Sequence, residues 1–252
     1  EELYRYKLAE KVTEKRINPK VFSERYSYVR TDIEKKYDAP LTPSVQDAYI
    51  YNLCRPERLL GLMYGFTLYD DGIKKVARYQ QFFAVEEIIK TIQQNDSAGN
   101  RQGGVIWHTQ GSGKSLTMVM VAKYILMEMS RFNPRVVIVT DRKELDKQIA
   151  KTFAHTRLSP ARATSGKHLI DLINKGSADV ITSIINKFNT VESSGLKNHS
   201  RDIFVLIDES HRSNYGSLAT KMRVVFPNAC YIGFTGTPLM KNEKNTMEKF
   251  GK

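Results

Sequence analysis

The sequence predicts an α/β fold: a mostly parallel central sheet flanked by helices, with a mainly helical segment before it. Two observations carry that expectation. From about residue 75 onward, short apolar β-branched runs alternate with stretches of helical period. Such alternation marks parallel strands covered on both faces by crossover helices. Within it, Gly104-Val105-Ile106-Trp107 runs into His108-Thr109-Gln110-Gly111-Ser112-Gly113-Lys114-Ser115 and then into an unbroken helical pattern. A strand, a glycine-rich turn and a helix in that order are the parts of a phosphate-binding loop.

The elements follow in order. Residues 1–40 are dense in charge and weak in apolar periodicity, so they are expected as helices and loops packed on something else, or as an arm. Ala39-Pro40-Leu41-Thr42-Pro43 is a linker signal. Residues 44–66 read as helical, with Leu53, Leu59, Leu60 and Met63 as candidate core contacts, and Tyr69-Asp70-Asp71-Gly72 breaks the chain again. A helix over 78–93 leads to strand 104–107 and helix 114–129, then to strand 135–140 and helix 143–153. A Ser/Thr/Gly-containing loop precedes helix 167–174. Strand 179–183, a short helix near 184–188, strand 203–207, helix 217–225 and strand 229–234 complete the pattern. The expected organisation is an N-terminal helical segment over 1–55 and one α/β domain over 56–252.

Composition bounds the partners. The chain has 252 residues, 41% of them hydrophobic, and a formal net charge of +12. An excess of that size on an otherwise ordinary globular composition points to a polyanionic partner, nucleic acid first, against the plainer reading of a basic surface kept for solubility. The two cysteines, Cys54 and Cys230, are far apart and are expected as reduced core thiols of a cytoplasmic protein. No apolar run approaches the ~18 residues of a membrane span. Glu1-Glu2 is no signal peptide, and the missing initiator Met leads us to expect a fragment or processed piece.

The loop dictates its own chemistry. Backbone N–H groups around Gly111 to Lys114, those of Ser112 and Gly113 among them, can cradle β- and γ-phosphates at a helix N-terminus, and Thr109 is a further candidate for nucleotide contact. Lys114 adds a point charge to the same phosphates, and the Ser115 hydroxyl suits Mg²⁺. His108 stands where the full pattern has its first glycine, and reads as a packing or loop residue. About ninety residues downstream, the apolar run 203–207 ends in Asp208-Glu209, acidic residues at the C-terminal end of a strand, where ligands of open α/β sheets bind. Asp208 would hold Mg²⁺ and Glu209 would orient and deprotonate an attacking water. The plainer alternative for this pair is a solvated acidic turn.

These residues resemble a family. Asp208-Glu209-Ser210-His211 resembles the DExH box of superfamily 2 helicases and translocases, Tyr231 to Pro238 their motif III, and Arg78-Tyr79-Gln80-Gln81-Phe82-Phe83-Ala84 their adenine-reading motif. Trp107 to Ser115, together with Thr140-Asp141-Arg142-Lys143-Glu144-Leu145-Asp146, is similar to the motor (R) subunit of type I restriction-modification enzymes. That resemblance runs from about residue 56 to 252. It implies a RecA-like P-loop NTPase domain that binds ATP and Mg²⁺. Lys114, Asp208 and Glu209 would be catalytic, Gln81 would read adenine with Arg78 assisting at the base or the phosphates, and Thr235 and Thr237 would link the ATP state to DNA-binding loops. Arg142, Lys143, Ser183 and Lys187 would meet DNA phosphates, contacts that carry little sequence information. It further implies double-stranded DNA translocation ahead of cleavage, with methyltransferase and specificity subunits as partners.

The motifs cover the first RecA-like lobe, and we expect the second to be absent. Loss of an arginine finger from such a lobe costs on the order of 10³-fold in rate, so the isolated chain should be weakly active or inactive. Glu34-Lys35-Lys36 fits a nuclease Glu-x-Lys only as a bare pattern, and residues 1–55 are expected at most as the tail of such a domain. Two other readings stand beside this one: another superfamily 2 DExH helicase or repair translocase, and a non-catalytic basic nucleic-acid-binding module.

Overall fold

A computed structural model describes residues 50, 52–108, 111–156, 158–208 and 215–236. The expectations for residues 1–49, for Thr109, for Glu209 to Arg212 and for Thr237 to Leu239 lie outside the described residues. The chain divides into two compact units, residues 1–67 with 76–83 and residues 68–75 with 84–252.

In the first unit, helix α1 spans Pro56–Tyr64. It opens on Pro56, whose fixed φ and missing N–H suit a first helical turn. Phe66 and Phe82 pack with ring centroids 4.4 Å apart and their planes tilted by 40°. The Arg58 guanidinium lies over the rings of Phe82 and Phe83, at 5.4 and 5.5 Å. The core expected on this helix needs correction. Leu59, Leu60 and Met63 are 40%, 54% and 62% exposed, whereas Leu62 is buried. One residue along a helix is a turn of ~100°, so the buried stripe is rotated about that far from Met63. Cys54 is exposed too, and only Cys230 of the expected core thiols is buried.

A hairpin enters the second unit. Strands β1 (Thr67–Asp70) and β2 (Ile73–Val76) pair into a two-stranded sheet. Asp71 and Gly72 both have positive φ, 53° and 79°, which is the type I′ geometry an Asp-Gly pair favours because it matches strand twist. The hairpin stands where the sequence pattern predicts only a break. Helix α2 (Tyr79–Ile92) follows, and its Val85, Ile88, Ile89 and Ile92 are buried.

Six parallel strands form the central sheet: β3 (Gly104–Trp107), β4 (Arg135–Thr140), β5 (Ala161–Arg162), β6 (Val180–Ile184), β7 (Ile203–Asp208) and β8 (Cys230–Thr235). Their order is β3-β8-β7-β4-β6-β5, and every neighbouring pair runs parallel. β6, β7 and β8 are buried at every position, which explains why they read as continuous apolar runs instead of alternating ones. The crossovers are α3 (Lys114–Glu128), α4 (Lys143–His155), α5 (Gly166–Lys175), α6 (Lys187–Ser193) and α7 (Tyr215–Val225).

Val137, Val139, Val205, Ile207 and Tyr231 belong to a core cluster with Leu169 and Ile173 of α5, Phe188 and Val191 of α6, and Met222 and Val225 of α7. α3 and α4 pack against β4, and the run Thr117 to Ala122 of α3 is wholly buried. Two expectations shift here. The helix placed near 184–188 begins at Lys187, because Ile185 N–H still donates to Thr140 O at 2.9 Å and prolongs the ladder. The loop before α5 contains the edge strand β5, too short to show a period. It is held to α4 by Arg162 Nε donating to the buried Asp146 Oδ2 at 2.5 Å.

Candidate nucleotide site

Strand register brings the site together. Trp107 lies opposite Thr235, and Phe234 opposite Asp208. The ends of β3, β8 and β7 therefore form one row at the carboxyl edge of the sheet, where this class of fold binds ligands. His108 continues the row, its backbone N–H donating to Thr235 O at 2.8 Å.

The turn after β3 carries the cradle. Gly111 and Gly113 have φ of 79° and 89°, left-handed values that a side chain would strain, and nothing lies within 4 Å of where a Cβ on Gly111 would stand. Gly113 is the N-cap of α3 and supplies no side-chain cap. The first N–H groups of α3 thus face the cleft as an anion site. Lys114 Nζ lies 2.8 Å from Asp208 Oδ1, with side chains 18% and 6% exposed. The loop lysine and the strand-end carboxylate, 94 positions apart by their numbers, are in direct contact.

Around them opens a cleft of about 830 Å³, lined by Gly111, Gly113, Lys114, Ser115 and Asp208, by Arg142, Gln148 and Thr152 near and along α4, and by Asp70 and Lys75 of the hairpin. Lys75 Nζ donates to Asp70 Oδ2, and His155 Nδ1 lies 3.3 Å from Asp70 Oδ1. The hydrogen bond from Lys75 holds the Asp70 carboxyl below its ordinary range against the opposing effect of burial, and His155 adds to it. No local sequence pattern marks this rim, since its residues are distant from the loop in the chain.

His108 is 5% exposed, which fits a packing residue, and its ring is fully engaged. Nε2 lies 2.8 Å from Thr117 Oγ1 and Nδ1 lies 2.5 Å from Ser112 Oγ.

The remaining expected residues fall in three places. Gln81 is buried, and its Oε1 accepts from Arg78 N at 2.9 Å, so in the first unit it caps its own helix. Arg142, expected on DNA, lines the nucleotide cleft and pairs with Asp141 at 3.5 Å, while Lys143 is exposed at the start of α4. Ser183 is wholly buried with its hydroxyl donating to Ile184 O. That position gives it no surface for a phosphate and corrects the expectation for it. Lys187 donates to Ala163 O. Burial pushes its ammonium below the usual range, with the Arg162 and Lys143 charges adding and Asp146 opposing.

Comparison with known proteins follows this geometry. The family described as SWI2/SNF2 ATPase matches residues 80–252. A putative type I restriction enzyme MjaIXP endonuclease subunit of Methanocaldococcus jannaschii is 34% identical over 212 residues, covering 81% of this chain and 20% of that protein. The type I restriction enzyme HindI endonuclease subunit of Haemophilus influenzae is 35% identical over 226 residues, covering 79% and 21%. The chain thus spans about a fifth of the length of these relatives. Among solved structures, the Sulfolobus solfataricus SWI2/SNF2 ATPase core in complex with dsDNA shares the fold at a TM-score of 0.55 and 15% identity, over 75% of this chain and 37% of that one. The UvsW helicase from bacteriophage T4 does so at 0.54 and 18%, over 78% and 66%. With its loop, its strand-end carboxylate and its parallel sheet in the expected places, and with the endonuclease subunits of type I restriction enzymes among its relatives, the chain belongs to the SWI2/SNF2 ATPase family.

Proposed function

We propose that residues 56–252 form the first RecA-like lobe of an ATP-driven motor in a type I restriction endonuclease subunit, with residues 1–55 a separate N-terminal segment. On this reading ATP hydrolysis drives translocation of double-stranded DNA ahead of cleavage, in the cytoplasm and alongside methyltransferase and specificity subunits. The observation that carries it is the Lys114–Asp208 contact beside Ser115, at the mouth of a cleft floored by a glycine-rich turn. Among the described residues, no helix is long and apolar enough to cross a membrane.

Each residue has a task. Backbone N–H groups around Gly111 to Lys114 wrap the β- and γ-phosphates, and Thr109 adds to the nucleotide contacts. Lys114 turns from Asp208 to the phosphate oxygens and neutralises charge there. The hydroxyl of Ser115 and the carboxylate of Asp208 are hard oxygen donors on one edge, which suits Mg²⁺ held jointly with substrate phosphates. Bound there, Mg²⁺ would neutralise charge developing on the β- and γ-phosphoryl oxygens. Glu209 orients water and takes its proton as the water oxygen bonds to the γ-phosphorus and the bond to the β–γ bridging oxygen breaks. Gln81 reads the adenine edge, and Arg78 assists at the base or the phosphates. Thr235 and Thr237 transmit the γ-phosphate state to the DNA side. Arg142 and Lys143 hold DNA phosphates, with Arg142 placed to serve the nucleotide as well.

Displacement of a third strand from a DNA triplex tests the motor. With ATP and Mg²⁺, the intact protein and its partner subunits should strip the third strand from a distant site without separating the duplex, and Lys114→Ala should not. Duplex unwinding, or stimulation by RNA in place of DNA, would favour a different superfamily 2 enzyme. ATP-independent DNA binding unchanged by Lys114→Ala, with no displacement, would leave a binding module.

A further inference from the structure

The loop pattern usually has glycine where this chain has His108, and the ring there is neither idle nor merely filling space. Thr117 Oγ1 donates to Gly113 O at 3.2 Å, so its hydrogen is engaged and its lone pair faces the His108 ring. We assign Nε2, at 2.8 Å, as the N–H donor, which makes Nδ1 the acceptor of the Ser112 hydroxyl at 2.5 Å. The result is a relay: Ser112 O–H to Nδ1, Nε2–H to Thr117 Oγ1, Thr117 O–H to Gly113 O. It ties the middle of the turn to the first turn of α3, across the residues that carry the cradle. The backbone N–H of the same residue donates to Thr235 O at 2.8 Å, which joins the loop to the end of β8.

We infer that His108 is a positioning residue for the nucleotide. Acting through Ser112 and Thr117, its side chain pre-forms the Gly111–Lys114 arch, whose tie to Thr235 at the end of β8 is made by the backbone and is kept in every side-chain variant. The inference rests on the nucleotide reading above and goes beyond it by assigning a role to a side chain outside the phosphate-contacting set. Glycine at this position allows close packing; histidine replaces that freedom with a brace. A preformed arch spares ATP the ordering cost that a slack loop would impose on binding, so its loss should appear in ATP affinity and KM before it appears in the chemical step.

The test is titration of a fluorescent ATP analogue with Mg²⁺, using the intact protein, alongside steady-state KM and kcat and a thermal melt. His108→Ala should weaken ATP binding about tenfold, the scale of one or two buried hydrogen bonds lost. KM should rise similarly, with kcat within about threefold. Ser112→Ala should lose about threefold, and the double variant should be no weaker than His108→Ala, because both remove one relay. His108→Gln, whose amide can still donate toward Thr117, should recover part of the loss. Nitrogen-15 spectra of the imidazole should show the Nε2–H tautomer in a signal that His108→Gln removes.

Affinity within twofold of the parent in His108→Ala, or losses that multiply in the double variant, would overturn the inference. If His108→Ala does not fold, Ser112→Ala and Thr117→Val carry the test, and unchanged affinity in both overturns it. Lys114→Ala separates the two readings. Binding lost in Lys114→Ala but kept in His108→Ala refutes only the brace, whereas a parent protein that binds no ATP refutes the nucleotide reading and this inference with it.

Discussion

Removing Lys114 should unsettle the nucleotide-free fold as well as any activity. Asp208 lies at the end of a buried strand with its side chain 6% exposed, and Lys114 Nζ stands 2.8 Å away. At an effective dielectric of about 20, two unit charges at that distance attract by roughly 6 kcal/mol. Desolvation of both groups offsets much of this, and removing one partner of a buried pair costs about 3–5 kcal/mol. The pair opens onto a cleft, so the cost falls to the low end of that range or just below it, and Lys114→Ala should cost about 2–3 kcal/mol at neutral pH. For a chain of this size that is a fall of roughly 5–10 °C in the unfolding midpoint. The assay is urea denaturation without nucleotide, for Lys114→Ala, Asp208→Asn and the double variant. Asp208→Asn should rescue most of the Lys114→Ala loss, since the stranded charge is gone. A Lys114→Ala protein within about 0.5 kcal/mol of the parent, a change typical of an indifferent surface site, would refute the reasoning.

Three further outcomes follow from the same geometry. Chelation of Mg²⁺ should weaken ATP binding by the parent protein, while Asp208→Asn, which frees Lys114 for the phosphates and removes a carboxylate facing them, should bind ATP with little dependence on Mg²⁺ in a titration with and without chelator. The Asp70 carboxyl is held below its ordinary value of 3.8, so its bond to Lys75 favours the fold above that pH, and the contribution is lost as pH falls through the lowered value. Asp70→Asn should flatten the acid limb of stability measured by thermal melts from pH 5 to 2. Of the two thiols, Cys54 is exposed and Cys230 is buried, with the Cys230 thiol pushed up to about 12 by burial. A thiol reagent at pH 8 should therefore label Cys54 quickly, and Cys230 only after denaturation.

Much of the fold was legible because buried parallel strands write themselves as apolar runs. The strands at 104–107, 135–140, 203–207 and 229–234 each lie within one residue of the expected bounds. The misses have physical causes. β5 pairs at only Ala161 and Arg162, too few for any period, and the Asp71-Gly72 turn announces a hairpin only when the short runs on either side are weighed with it. α1 gave the wrong core because several Leu and Met residues offered competing stripes, and tertiary packing chose Leu62. In the site, the Gly111–Ser115 turn and Asp208 were legible because local chain chemistry fixes them. The contact of Lys114 with Asp208 is set by topology, with β8 lying between β3 and β7, and no local pattern encodes it. The cleft rim from Asp70 and Lys75, the relay through His108 and the burial of Ser183 depend on contacts between distant elements, which no local pattern encodes.

Mg²⁺-dependent ATP hydrolysis by the intact protein, with and without double-stranded DNA and its methyltransferase partner, tests the central claim most directly when Lys114→Ala is run beside it. The account predicts hydrolysis that rises with DNA and partner and disappears in the variant. DNA binding with no hydrolysis under any of these conditions, or hydrolysis that survives Lys114→Ala, would contradict it.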